Sequence, residues 1–320
     1  MVKIAIAPAS SLLAREVIDV LVATGKHEII GLIRRDPASF PSLPGVKWVQ
    51  TTYEDKSELV RLFEGVETVL TFFPVHFDPG NVTQKRLIDA AVEAGVKRFA
   101  PSEWATGVKL ESSTDVIPWY AGKIEISHYL EELNREKQVI EYTRFQVGGF
   151  MNYLAHPHKT STHVNTLPFQ FDFSTQHATV IEDSLDDAMT WITVEDIAAV
   201  VAKAIEYRGK WPSVGGMVGS RVTIREMLHL GEAVGRPFTI DWLKKKDLEA
   251  ATYEPDFFST FDLRAASQEE LAAFLGKATT GILQGIHRGA YDVTDEWNKI
   301  FPDYKFTQVE DFVKNAWGQK

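Results

Sequence analysis

Tyr120 and Lys123 stand three residues apart in the stretch "YAGK". At the start of a helix, residues i and i+3 share a face, so both side chains can point into one cleft. A lysine there can clamp a ribose, or pass a proton to a carbonyl or leaving oxygen. To transfer protons near neutral pH it needs partial burial or a neighbouring positive charge to lower its pKa. The plainer alternative is an exposed lysine at a helix start, with Tyr120 packed beside Trp119.

A second group could hold a nucleotide. The stretch "VKIAIAPASSLLAREVIDVLVATG" has the form of a strand running into a helix, but its turn has no glycine. A dinucleotide turn uses glycines for tightness, for close approach of pyrophosphate and for helix–strand packing. On a G-x-x-G-x-x-G spacing those positions are Pro8, Ser11 and Ala14. Pro8 removes an N–H, and Ser11 adds a Cβ but also a hydroxyl. Ser10 and Ser11 can cap the helix, whose N-terminus attracts an anion without glycine. The expected cofactor contacts on this turn are therefore Pro8, Ser10, Ser11, Leu12 and Leu13. The next strand ends in Arg34 and Arg35, with Asp36 behind them. Arginine suits a ribose 2′-phosphate where an acidic residue would suit the 2′-hydroxyl, so the pair favours NADP(H) over NAD. Two solvated surface arginines are the alternative.

The elements that must position these residues alternate. "VKIAIA", "HEIIGLIRR", "VKWVQTTY", "ETVLTFF", "KRFAPSE" and "QVIEYTRFQVGGF" read as strands. Between them, residues 12–24, "KSELVRLFEG", "NVTQKRLIDAAVEAGV" and "GKIEISHYLEELNRE" read as helices, two of them ending near Gly65 and Gly95. Strands separated by such helices predict a doubly wound, mainly parallel sheet of Rossmann type in the α/β class, with "VKIAIA" central. Ligands then bind at the carboxyl edge of the strands. Phe72, Phe73 and Pro74 follow the fourth strand there, and Ser102 of "PSEW" follows the fifth. Phe73 and Ser102 join the cofactor candidates, although core packing and a simple turn explain them as well.

Residues 1–150 are thus expected to form an NAD(P)-binding core. Residues 151–320 are expected to return partly to that core and to build a smaller substrate lobe, where "TWITVEDIAAVVAKAIEY" reads as a strand and a capped helix. Hydrophobic residues make up 44% of the 320, enough for a sizeable core. The net charge of −10 argues against a nucleic-acid partner. No run of 18 apolar residues predicts a membrane span, and no signal-peptide pattern opens the chain. With no cysteine, thiolate chemistry and disulfides are excluded and a cytoplasmic location is expected. Among nine histidines, His156, His158 and His163 lack the companions of a zinc site, so no metal is expected. "EDSLDD" reads as a solvated acidic loop and "WLKKKD" as a short basic stretch.

Six blocks in this order and spacing resemble the NmrA-like group, above all its isoflavone reductase-like oxidoreductases from filamentous fungi. They are the opening "KIAIAPASSLLAREVIDVLVATGKHEIIGLIRR", then "LIDAAVEAGVKRFAPSEWATG", "YAGKIEISHYLEEL", "EYTRFQVGGFMNYL", "WITVEDIAAVVAKAIE" and "FPDYKFTQVEDFV". The resemblance spans nearly the whole chain, and "AGVKRF" with "PSEW" and a lysine some twenty residues on is its specific part. It implies an atypical short-chain dehydrogenase fold, with "YAGK" one residue short of the usual Y-x-x-x-K. It implies a glycine-rich loop at Pro8 through Ala14, a 2′-phosphate arginine at Arg34 or Arg35, and a catalytic lysine at Lys123. The missing glycines are the departure. It also implies that Gly149 to His163 lies near the substrate pocket, with Phe150, Tyr153 and His156 shaping it. Three functions follow. One is an NADPH-dependent reductase of a small aromatic or polyketide-like secondary metabolite, acting as a monomer or homodimer with Lys123 as proton relay. The others are a cofactor-free isomerase, cyclase or dehydratase, and a non-catalytic NADP(H)-binding regulator.

Overall fold

A computed structural model of the chain describes residues 2–244, 248 and 268–318. It divides into two compact units. The first comprises Met1–Trp104, Gly122–Phe145 and Glu195–Gly215; the second comprises Ala105–Ala121, Gln146–Val194 and Gly216–Lys320.

The first unit carries the six-stranded sheet. Its strands are β1 (Val2–Ala7), β2 (His27–Ile33), β3 (Val46–Gln50), β4 (Thr68–Thr71), β5 (Arg98–Ala100) and β6 (Glu141–Tyr142). They lie in the order β3-β2-β1-β4-β5-β6, and every pairing is parallel. The expected architecture and the central place of "VKIAIA" are both present. β1 sits in the middle because it is apolar on both faces, the composition that a doubly covered parallel strand requires. Four helices accompany the strands: α1 (Leu12–Thr24), α2 (Lys56–Leu62), α3 (Val82–Glu93) and α4 (Ala121–Leu133), with α5 (Val194–Glu206) joining later in the chain. Leu13, Val17 and Leu21 recur at helical spacing along α1, and all three are buried. Leu59 of α2, Leu87, Ile88 and Ala91 of α3 and Ile126 and Leu130 of α4 share one core with Ala5, Ala7, Val69 and Phe99 of the sheet. Gly65 and Gly95 follow α2 and α3 at φ +71° and +75°, left-handed backbone that stops a helix at little cost to glycine.

One predicted strand is three. "QVIEYTRFQVGGF" gives β6, β7 (Arg144–Gln146) and β8 (Gly149–Phe150). β6 extends the large sheet, β7 pairs with β12 (Val214–Gly216), and β8 pairs with β11 (Ala188–Ile192). Gly148, at φ +68°, redirects the chain between β7 and β8.

The second unit holds two three-stranded sheets. In one, β10 (His177–Ile181) lies between β14 (Thr239–Leu243), parallel to it, and β9 (Phe171–Asp172), antiparallel. In the other, β11 lies between β8 and β13 (Ser220–Thr223). Among the described residues its helices include α6 (Ile224–Ala233), α7 (Gln268–His287), α8 (Glu296–Ile300) and α9 (Val309–Trp317). α6 starts in a capping box. The Thr223 hydroxyl accepts from the Glu226 N–H at 3.2 Å, and Glu226 Oε2 accepts from the Thr223 N–H at 2.8 Å. Thr223→Ala should therefore cost about 1 kcal/mol of stability. A urea-unfolding midpoint unchanged from the parent would show that the box contributes nothing.

Among the described residues, no helix is long and apolar enough to cross a membrane, and no group of three His, Asp or Glu is placed to hold a metal. Lys245, Lys246 and Asp247 of the basic stretch lie outside the described residues.

Candidate active site

The turn after β1 is built without glycine as follows. The Ala9 N–H donates to the Leu32 carbonyl at 2.8 Å, and the Ser11 N–H donates to the Pro8 carbonyl at 3.1 Å. Ser11 takes the N-cap position of α1 with extended backbone, but its hydroxyl makes no bond to the helix, contrary to the cap expected. The first-turn amides of a helix have no acceptor within it, so Leu12, Leu13 and Ala14 present N–H groups that no cap has taken. Ala14 is fully buried where the third glycine would pack, and Leu12 is 44% exposed. A helix end left uncapped in this way is suited to an anion.

Arg34 and Arg35 are exposed immediately beyond β2. The Arg34 guanidinium lies 5.5 Å from the Tyr53 ring centroid, and that of Arg35 lies 5.2 Å from Phe40. Tyr53 is itself fixed, its hydroxyl donating to the Leu32 carbonyl at 2.8 Å. Asp36 is occupied locally, since its carboxylate accepts from the Ala38 N–H at 2.9 Å. One oxygen of the acid behind the arginines is thus tied into a turn.

The tips of β4 and β5 form a tight polar knot. The Ser102 hydroxyl accepts from the Phe73 N–H at 2.8 Å and donates to Thr71 Oγ1 at 3.1 Å. The Ser102 N–H donates to Gln84 Oε1 at 2.9 Å. Ser102 and Phe73 are buried, and Phe73 meets Tyr53 edge-on at 5.2 Å. Phe72 stacks on Trp104 at 4.4 Å, and Trp104 on Phe145 at 5.1 Å. Both sequence candidates are here engaged in holding the edge together.

Lys123 lies in the first turn of α4 and is only 5% exposed. Its ammonium donates to the Glu103 carbonyl. Burial brings its pKa down to about 8, and the Glu103 carboxylate pulls the other way. His76, in the turn after β4, is held below the usual histidine value by burial and then by the charge of Lys123. This is the lowered lysine that proton transfer near neutral pH requires, and burial is what lowers it.

In the second unit, Tyr120 is hydrogen-bonded to Trp119 and Tyr291, and burial raises its pKa. Tyr153 is likewise raised by burial, and its ring lies 5.5 Å from Phe150 and 6.4 Å from Phe169. His156 Nδ1 is 3.3 Å from Thr166 Oγ1. Tyr120 and Lys123, three apart in sequence, fall into different units.

The NmrA-like family model matches residues 2–246. The chain belongs to the NmrA-like family. An oxidoreductase from Aspergillus flavus, aprR, is 29% identical over 193 residues, which are 58% of this chain and 58% of that protein. The oxidoreductase BOA1 of Botryotinia fuckeliana is 25% identical over 316 residues, 98% of this NmrA-like chain and all of its relative. Among solved structures, AtPrR2 with NADP+ and (+)-pinoresinol superposes with a TM-score of 0.68 at 18% identity, covering 98% of each chain. The NADPH complex of the quinone oxidoreductase QOR2 from Escherichia coli gives 0.67 at 22% identity, covering 98% of this chain and all of that one. These two likenesses concern the fold.

Sequence reasoning missed Asn81, Gln84 and His76. The signal for His76 and Asn81 was the "FFPVHFDPGN" run after β4, which occupies the same strand edge as "PSEW"; Gln84 lies three residues beyond it.

Proposed function

We propose that this NmrA-like protein is an NADP(H)-dependent reductase of a small aromatic or polyketide-like metabolite, with Lys123 as the proton relay. The observation that carries the reading is a buried lysine with a lowered pKa in the unit that also bears the uncapped helix and the paired arginines. The names of the fungal relatives and the nucleotide complexes of the structural neighbours support it. The donor set fits a dinucleotide. The amides of Leu12 and Leu13 with the hydroxyls of Ser10 and Ser11 would hold the pyrophosphate, and Arg34 or Arg35 the 2′-phosphate. When bound, the nicotinamide supplies hydride. Lys123 gives its Nζ proton to the substrate oxygen that gains charge, and solvent returns a proton to Nζ. The Glu103 carbonyl orients the ammonium. Phe150, Tyr153 and His156 are kept as candidates for contact with the substrate, whose aromatic character their flat rings suit.

As a general acid, Lys123 must be protonated. Its folded pKa lies below the ordinary 10.5, near 8, so the active form is lost as pH rises through about 8. The expected result is NADPH oxidation with a conjugated ketone or quinone, a plateau below pH 7 and a fall of about tenfold per pH unit above 8. Stopped-flow traces with NADPH, NADH and no nucleotide test it. Turnover that is undiminished without nucleotide would overturn the reductase in favour of a cofactor-free enzyme.

A further inference from the structure

We propose that Asn81 is a positioning residue for Lys123: its side-chain amide clasps the first turn of α4 through Gly122 and Glu125, and so sets where the lysine stands. The proposal rests on the reading in which Lys123 moves the proton.

Asn81 precedes α3 with left-handed backbone, φ +54°, and is 1% exposed. It does not cap the helix that follows it. Asp78 does so, its two carboxylate oxygens accepting from the N–H groups of Thr83 at 2.9 Å and Gln84 at 3.0 Å. The Asn81 side chain turns instead to α4. Its Nδ2 donates to the Gly122 carbonyl at 3.1 Å and to Glu125 Oε2 at 2.6 Å. Gly122 is what permits this. A Cβ there would stand 3.0 Å from Asn81 Oδ1 and 3.1 Å from Nδ2, tighter than ordinary contact. Its φ lies outside the positive range, so the reason for a poor helix former in a first turn is close approach.

Two further polar ties join α3 and α4. Lys85 pairs with Glu125, and the Tyr129 hydroxyl donates to Asp89 at 2.5 Å. Beneath them Leu87, Ile88, Ile126 and Leu130 share the core. These contacts suffice to dock the helices. The Asn81 clasp is the one that touches the residue next to Lys123. The charged and titratable groups that act on Lys123 include Glu103 beyond β5, whose backbone carbonyl accepts a hydrogen bond from the ammonium, and His76 in the turn after β4. Glu125 on its own helix is held below the usual carboxylate range by Lys85 and then by Asn81. Releasing α4 at this point would let the lysine reach water and leave the Glu103 carbonyl.

The test measures Lys123 without relying on turnover. Acetic anhydride labelling, read by mass spectrometry on the peptide holding Lys123 across pH 6–11, gives its protonation midpoint. Asn81→Gly keeps the left-handed backbone and deletes the clasp. Asn81→Asp keeps the shape but sets a carboxylate against Glu125. Both should move the midpoint upward by about one pH unit, with NADPH affinity held within about threefold and kcat reduced about tenfold. Glu125→Gln keeps the acceptor and breaks only the Lys85 pair, so its midpoint should match the parent. If Asn81→Gly does not fold, Gly122→Ala displaces the same contact from the other side. A lower Tm with the midpoint unmoved in every variant would reduce Asn81 to a structural tie and overturn the proposal. A moved midpoint with full turnover in Lys123→Ala would keep the clasp and remove the proton relay.

Discussion

Lys123→Ala is expected to cut turnover by about 10²–10⁴-fold, the usual span for a general acid–base group. Nucleotide binding and the fold should be largely intact. Lys123 is buried, and burying a charge opposes folding. Its folded pKa, about 8, is below the unfolded value of 10.5. Across that window the unfolded chain binds more protons, so this lysine's contribution to stability rises with pH. Replacing it with methionine should leave stability near pH 7 undiminished, because the loss is a desolvated charge rather than a packed methylene stem. Lys123→Arg should not restore turnover, since a guanidinium hardly gives up its proton. If the lysine only clamps ribose or substrate, arginine would recover part of the rate and the main change would appear in KM. Loss of turnover in both variants with an unchanged NADPH Kd, read by protein fluorescence quenching, supports the relay. A reaction that needs Lys123 but not NADPH would support the cofactor-free alternative, and no turnover in the parent would support the regulator.

The sheet was legible because a parallel strand covered on both faces is apolar along nearly its whole length. "VKIAIA" and "ETVLT" can therefore be little else once helices separate them. The break in "QVIEYTRFQVGGF" was not legible in the same way. Its apolar run continues, and what divides it is which partner each two- or three-residue piece finds far along the chain. The same limit applies to the site. Lys123 could be picked out from a local block, "PSEW" followed by a lysine at the head of a helix. Ser102 read as a polar group offered to a ligand, yet its hydroxyl is committed to Phe73 and Thr71, some thirty residues away. Ser11 read as a cap, and the cap bond is not made. Asn81 closes the "FFPVHFDPGN" run, but nothing local marks where its side chain turns, because its partners Gly122 and Glu125 stand about forty positions on. Local propensity reports what a residue favours. Long-range partners decide whether its hydrogen bonds remain available.

Changing Arg34 and Arg35 together to alanine is expected to weaken NADPH by about 1–3 kcal/mol while hardly altering NADH. The argument is one of charge at a defined atom. The two nucleotides differ only in the 2′-phosphate, so any contact to the shared adenine, riboses or pyrophosphate must lower both affinities alike. Both arginines are exposed, so the effect should shrink as salt rises, with screening already acting over about 8–10 Å at physiological ionic strength. The single variants divide the work. Arg34 lies over Tyr53, a ring anchored to β2 through the Leu32 carbonyl. Arg35 lies over Phe40, in the segment before β3. If one arginine forks onto the phosphate, its alanine variant should reproduce most of the double loss, and lysine should replace it only in part because an ammonium is a point charge without the planar fork. Isothermal titration with both nucleotides at two salt concentrations decides the matter. Equal losses for NADPH and NADH would leave Arg34 and Arg35 as surface charges stacked on their rings and place the 2′-phosphate elsewhere.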